Sequence, residues 1–422
     1  MKLIITNSRA GKQRMDELLA RRKAAYNRVL PAAKRIVDAV RTGGDRALRR
    51  YAHRLDGISS QTPLRITEDE ITAAWEATPE DLKQALKTAA KNIRAFAERQ
   101  RPGDWDLTPA PGVKTGQRIR AIGNVGCYVP SGRYPLPSTL LMTAIPAQVA
   151  GVDRIVVVSP RPAKETLAAA ALLGIKEVYR LGGAQAIAAL AYGTESIPRV
   201  DKIVGPGNAY VTAAKKLVAF DCAIDMLAGP TEIVVTSESG SPAGIASDLV
   251  AQAEHDPDAL AIFITTSSGL AKSVVAEVRQ RVKTNQVARE AIARNGLAIV
   301  ASTLEEAHSL TNALAPEHLT VDTAADLDWV QNAGSVFIGP CSAQPLGDYV
   351  SGPNHTLPTS GLARTRGGLS VLDFVKIVTI QEYTAEGLQT LGPPGIALAE
   401  AEGLHGHAEA IRVRMNGGAA NA

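Results

Sequence analysis

"RIVVVSPRPAKETLAAAALLGIKEVYRLGGAQAIAALAYG", residues 154–193, decides the fold. It opens on a β-branched run closed by a proline, the pattern of a buried strand. An alanine- and leucine-rich helical run follows, then a second short strand, "KEVYRL", and a second helix after two glycines. Strand, helix, strand, helix means parallel strands with helices on the sheet faces. The alternation continues outward through "KIVGPG" (202–207) and "NAYVTAAKKLVA" (208–219), and "EIVVTSE" (232–238) is read as closing it. A second round begins at "SPAGIASDLVAQAEH" (241–255), a helix with Ser241 as N-cap and Pro242 at its first position. Strand "LAIFITT" (260–266), helix "GLAKSVVAEVRQRV" (269–282), and strands "LAIVAS" (297–302) and "SVFIG" (335–339) complete it. Two α/β units are expected, inside roughly 121–236 and 237–340. Before them the chain to about residue 100 reads helical, with one helix ending on Gly57. These early helices are expected to lie on the second unit. Residues 101–120 read extended, and the chain from about 368 reads as a helical tail.

Bulk properties narrow the function class. The 422 residues suit two or three domains. Aromatics are only 4%, so the cores are mostly Ala, Val, Leu and Ile. The net charge of +4 is spread along the chain without a basic cluster, which argues against nucleic acid. No stretch reads as a signal peptide or as a membrane span. Three well-separated cysteines, Cys127, Cys222 and Cys341, make no disulfide framework. These features predict a soluble cytoplasmic protein.

Polar residues then gather in four places. "VAQAEHDP" (250–257) ends a helix with Gln252 and His255 on one face, and Asp256 is held out of the helix by the next proline. A histidine at a helix C-terminus is also explained by the helix dipole, but that leaves Gln252 and Glu254 unexplained. "GDYVSGPNHTLPT" (347–359) puts Asp348 and His355 on a Gly/Pro-shaped loop, or is simply a turn-rich connector. "APEHL" (315–319) sets Glu317 beside His318, a pair suited to general base work and water activation at a strand edge, or an exposed charged pair. "EGLHGHAEAIRVR" (402–414) carries Glu402, His405 and His407. Of the seven histidines, His255, His318, His355, His405 and His407 fall in these clusters, which points to a site rather than scatter. His, Asp and an amide together can ligate zinc, and a set not dominated by cysteine fits a catalytic zinc. Glycine turns at 123–137, 180–190 and 204–216 suit phosphate binding at helix N-termini, although no GxGxxG is present.

"GCYVPSGRYPLPSTLLMTAIPAQVAGV", "LGGAQAIAALAYGT", "VGPGNAYVTAAKK", "DMLAGPTEI", "AQAEHDP", "APEHL", "DYVSGPNHTLPT" and "EGLHGHAEAIRVR" follow one another along nearly the whole chain. These eight motifs, in this order, resemble the histidinol dehydrogenase family. The resemblance implies two incomplete Rossmann-like, parallel-sheet domains with small helical N- and C-terminal appendages. Residues 1–24 would form an arm. Residues 25–123 with 237–367 would carry zinc and substrate, 124–236 would bind NAD, and 368–422 would be a tail exchanged with the partner in a homodimer. It further implies oxidation of L-histidinol through L-histidinal to L-histidine with two NAD, using one zinc per subunit. Zinc would be held by Gln252, His255, Asp348 and His407. Glu317 and His318 would be the acid/base pair. Thr231, His355 and Glu402, with Glu317 and the metal ligands, would contact substrate, and Tyr128, Gln185 and Asn208 would contact NAD. Glu402 and His407 would be supplied in trans. Two departures from the family pattern are Thr231, often serine, and Ser131, often glycine. A relative acting on another small alcohol, or a zinc hydrolase, remain the alternatives.

Overall fold

The computed structural model describes residues 1–20, 28–131 and 134–418. Parts of two expected segments, 21–27 of the arm and its junction and 419–422 of the tail, lie outside the described residues, as do 132–133 of the first motif.

Two parallel sheets form, as the alternation requires. One has five strands in the order β6-β5-β4-β7-β8: β4 is Asn124–Tyr128, β5 Arg154–Ser159, β6 Val178–Arg180, β7 Lys202–Val204 and β8 Ala223–Ile224. The other has six in the order β1-β11-β10-β9-β12-β13: β1 is Lys2–Ile5, β9 Glu232–Thr236, β10 Leu260–Thr265, β11 Leu297–Val300, β12 His318–Val321 and β13 Ser335–Ile338. Their central strands are apolar almost throughout because both faces are covered; Val156, Val157, Val158, Ile233, Val235 and Phe263 are completely buried. Each such side chain contributes about 1.5–3 kcal/mol over leaving it in water.

Four features depart from the sequence reading. "EIVVTSE" does not close the first sheet; as β9 it is central in the second, between β10 and β12. A continuous apolar run fits either position, so pairing, not composition, decides. Residues 2–5 are a strand beside β11, and the helix Arg9–Ala20 follows it. The early helices cover the first sheet, not the second: Val37, Val40 and Leu48 of Leu30–Tyr51 share a core with Val156, Ile187 and Val211. That helix ends through a wide turn on Gly57, whose φ of 69° is left-handed, as expected. Finally, the tail opens with a nine-residue strand, β14 (Val375–Tyr383).

By compactness the chain forms two units. Met1–Gln100 with Ile122–Asp373 is the first and contains both parallel sheets. Arg101–Ala121 with the chain from Phe374 is the second. In it β14 pairs antiparallel with β3 (Val113–Ala121), and β3 pairs with β2 (Trp105–Ala110). Helices Ala385–Ala401 and His405–Val413 complete this unit. Among the described residues no helix is long and apolar enough to cross a membrane.

Candidate active site

A cavity of about 520 Å³ in the first unit is where most of the candidate residues meet. In the five-stranded sheet the strand order reverses between β4 and β7, the topological switch point of an open α/β sheet. The loops leaving the carboxyl ends of these two strands, at Pro130 and at Gly205–Asn208, line the cavity. The six-stranded sheet faces it with its amino ends. Thr231 directly precedes β9, Glu317 directly precedes β12, and His318 is the first residue of β12. At the opposite, carboxyl end the loops after β9 and β12 are tied to each other. There Asp322 accepts the amides of Glu238 (2.8 Å) and Ser239 (3.2 Å).

Glu317 and His318, neighbours in sequence, both face the cavity and are both buried. One Glu317 oxygen accepts the Glu232 amide (2.8 Å) and the Thr231 hydroxyl. Burial raises the Glu317 carboxyl above its ordinary range, and its hydrogen bonds and His318 only partly oppose this. His318 Nδ1 lies 3.3 Å from the Glu232 carbonyl oxygen and 3.7 Å from Glu317 Oε2, and Nε2 lies 3.5 Å from Asp348 Oδ1. Burial works against the imidazolium, but the Glu317 and Asp348 carboxylates overcome it and the pKa rises. With a proton on Nδ1, donated to the Glu232 carbonyl, Nε2 beside Asp348 is the nitrogen that takes a proton.

Asp348 belongs to the short helix Pro345–Tyr349. Burial pushes its carboxyl up, yet His318, His355 and Gln344 hold it below the usual range. His355 is oriented by its Nδ1 on the Asp348 carbonyl (2.7 Å), and burial lowers its pKa. Gln252 closes the last turn of the helix Pro242–Ala253, whose N-cap Ser241 accepts the Gly244 amide as expected. Its amide nitrogen donates to the Thr231 hydroxyl. Its oxygen is buried without a hydrogen-bond partner, the condition of an acceptor waiting for a cation or donor. His255 follows just beyond the helix, exposed and on the cavity wall. Glu254, left unexplained by the sequence, accepts Asn285 on the surface (2.8 Å).

The remaining candidates lie elsewhere. Tyr128 and Gln185 are buried outside the cavity lining. The Tyr128 hydroxyl accepts the Gly183 amide (3.1 Å), and Gln185 donates to the buried carboxylate of Asp56 (3.0 Å). Asn208 lines the cavity and caps the helix Ala209–Val218 through the amides of Tyr210 and Val211. Ser131 donates to the carbonyls of Pro160 and Arg161. Glu402 and His407 are exposed residues of the second unit, where His405 and Arg412 share the Glu400 carboxylate. Among the described residues no three His, Cys, Asp or Glu side chains are arranged to hold a metal. The expected set would have only His255 and Asp348 of those types in the first unit.

Sequence reasoning missed Gln344. It is buried, and its side chain donates to Asp348 Oδ2 (2.9 Å), which leaves Oδ1 toward His318. Its position four residues before Asp348 was the available signal. Glu232, whose backbone holds both Glu317 and His318, was hidden in a strand that reads as plain core.

A switch-point cavity walled by glycine turns on one side and a buried Glu-His pair on the other defines an α/β enzyme of the nucleotide-cofactor kind. Comparison with known proteins specifies it further. The family model described as histidinol dehydrogenase matches residues 19–415. Histidinol dehydrogenase of Methanothermobacter thermautotrophicus is 45% identical over 416 residues, covering 96% of this chain and 97% of its own. That of Bacillus cereus is 48% identical over 396 residues, 91% and 92% of the two chains. The crystal structure of histidinol dehydrogenase from Elizabethkingia anophelis superposes with a TM-score of 0.92 at 36% identity, covering 99% of this chain and 98% of that one. The chain belongs to the histidinol dehydrogenase family.

Proposed function

We propose that the protein oxidises L-histidinol to L-histidinal and then to L-histidine, reducing one NAD at each step, as the last steps of histidine biosynthesis. The observation that carries this reading is the buried Glu317–His318 pair facing the glycine turn Gly205–Asn208 across one cavity. Hydride leaves the alcohol carbon only as its hydroxyl proton leaves, and His318 Nε2 takes that proton. The aldehyde must then be hydrated. Glu317, basic when ionised and held by Thr231 and Glu232, activates the water, and His318 again removes a proton during the second hydride transfer. Retaining the aldehyde in the cavity between the steps keeps it from solvent.

Zinc fits the residues present: Gln252 offers an unpartnered buried oxygen, and Asp348 and His255 stand on the same cavity wall. These three, with His407 supplied in trans in a homodimer, would hold it. When bound, the ion supplies a template for the imidazole and amine nitrogens of histidinol rather than a source of hydroxide. Asp348 and, in trans, Glu402 suit that nitrogen-rich ligand, with His355 and Thr231 completing its contacts. Tyr128, Gln185 and Asn208 are assigned to NAD, and the cytoplasm to the enzyme.

The test is chelation. Stripped protein should lose NADH formation from L-histidinol and recover it with zinc. Its thermal midpoint should also fall on stripping and rise again on zinc addition, by mass action. Full activity in metal-free protein would refute the zinc assignment.

A further inference from the structure

We propose that Lys215 and Asp225 are positioning residues for the cofactor, their buried ion pair setting the shape of the Gly205–Asn208 turn. Lys215, on the helix that follows the turn, is 2% exposed and Asp225 is 7% exposed. They bond each other, and together they take both backbone groups of one residue. Lys215 Nζ donates to the Gly205 carbonyl (2.7 Å), and the Gly205 amide donates to Asp225 Oδ2 (2.7 Å). Gly205 has a φ of 111°, and a Cβ added there would lie 2.1 Å from the Tyr128 carbonyl oxygen. The residue is thus bracketed by the pair and pressed against the end of β4. Apolar side chains of equal volume would fill this space without the cost of burying two charges. What they would not do is bind an amide and a carbonyl of the same residue.

Asp225 also opens the segment that runs to Thr231 and Glu232, the two residues holding Glu317. Its carboxylate accepts the Met226 amide and its carbonyl accepts Arg366. One ion pair therefore ties the turn at the switch point to the chain carrying the acid/base wall. Phosphate recognition at a helix N-terminus depends on backbone amides held in place before the ligand arrives. The inference rests on NAD using this turn.

The experiment is NADH titration of the whole protein, wild type against the double variant Lys215→Met/Asp225→Leu. The folded double variant should bind NADH at least about tenfold more weakly, with KM for L-histidinol within about threefold of wild type. A purely structural pair would lower thermal stability and leave NADH affinity unchanged in the folded fraction, and that result overturns the inference. If the double variant does not fold, amide exchange in the unaltered protein decides. Gly205 should be protected before NADH is added and unchanged after it; rapid exchange of Gly205 in the free protein overturns the clamp. Wild-type protein that binds no NADH overturns the reading of the cavity itself, and the inference with it.

Discussion

His318 stands between two carboxylates, with Glu317 at Nδ1 and Asp348 at Nε2, and its ring is further fixed by the Glu232 carbonyl. On the proposed mechanism this one imidazole serves both hydride transfers. His318→Gln should therefore slow oxidation of L-histidinol and of added L-histidinal alike, by about a hundredfold or more, in single-turnover NADH traces. On the same proposed mechanism Glu317 would have the narrower task of hydrating the aldehyde. Glu317→Gln should mainly slow the reaction of added L-histidinal, and equal losses in both half-reactions would contradict that division. Gln344 acts through Asp348. Gln344→Leu removes the hydrogen bond at Oδ2 and should weaken zinc retention against a chelator by about tenfold or more, the usual loss when a ligand's orienting partner is removed.

Two helices bring the ligand side of the cavity together. Pro242–Ala253 carries Gln252, and Pro345–Tyr349 carries Asp348. They meet where Asp248, one turn before Gln252, accepts the backbone amide of Gln344. Burial pushes the Asp248 carboxyl up to about 6, partly opposed by that bond. A carboxyl with a higher pKa folded than unfolded makes the protein lose stability as pH rises between the two values. Asp248→Asn keeps the acceptor without the charge. Relative to wild type it should gain stability from about pH 4 to about pH 6 and hold a constant lead above that range, in thermal melts across pH. A flat difference would mean Asp248 ionises freely. The helix ends themselves were legible. Ser241, Pro242 and the Asp256-Pro257 stop set the bounds within which Gln252 and His255 face the cavity. The partner of β9 was not legible, because "EIVVT" is apolar on both faces and fits the core of either sheet.

Across the whole chain, the α/β alternation and the eight motifs were readable because each is local: a period, a cap, a glycine turn. What sequence did not give depends on chain separation. Thr231, Gln252, Glu317 and Asp348 converge from four segments, and only the fold shows that Gln344 holds Asp348 and that the Glu232 backbone holds Glu317. The early helices were misplaced for the same reason, since an amphipathic face does not name the sheet it covers. Tyr128 and Gln185, assigned to NAD by resemblance, are engaged with Gly183 and Asp56 in the interior, and Asn208 alone of the three lines the cavity. On the proposed mechanism one cavity carries an alcohol through two oxidations without releasing the aldehyde. That mechanism is tested most directly by counting NADH formed from limiting L-histidinol with excess NAD and zinc-loaded protein. Two NADH and one L-histidine per L-histidinol are expected. One NADH with free L-histidinal, or none, would contradict it.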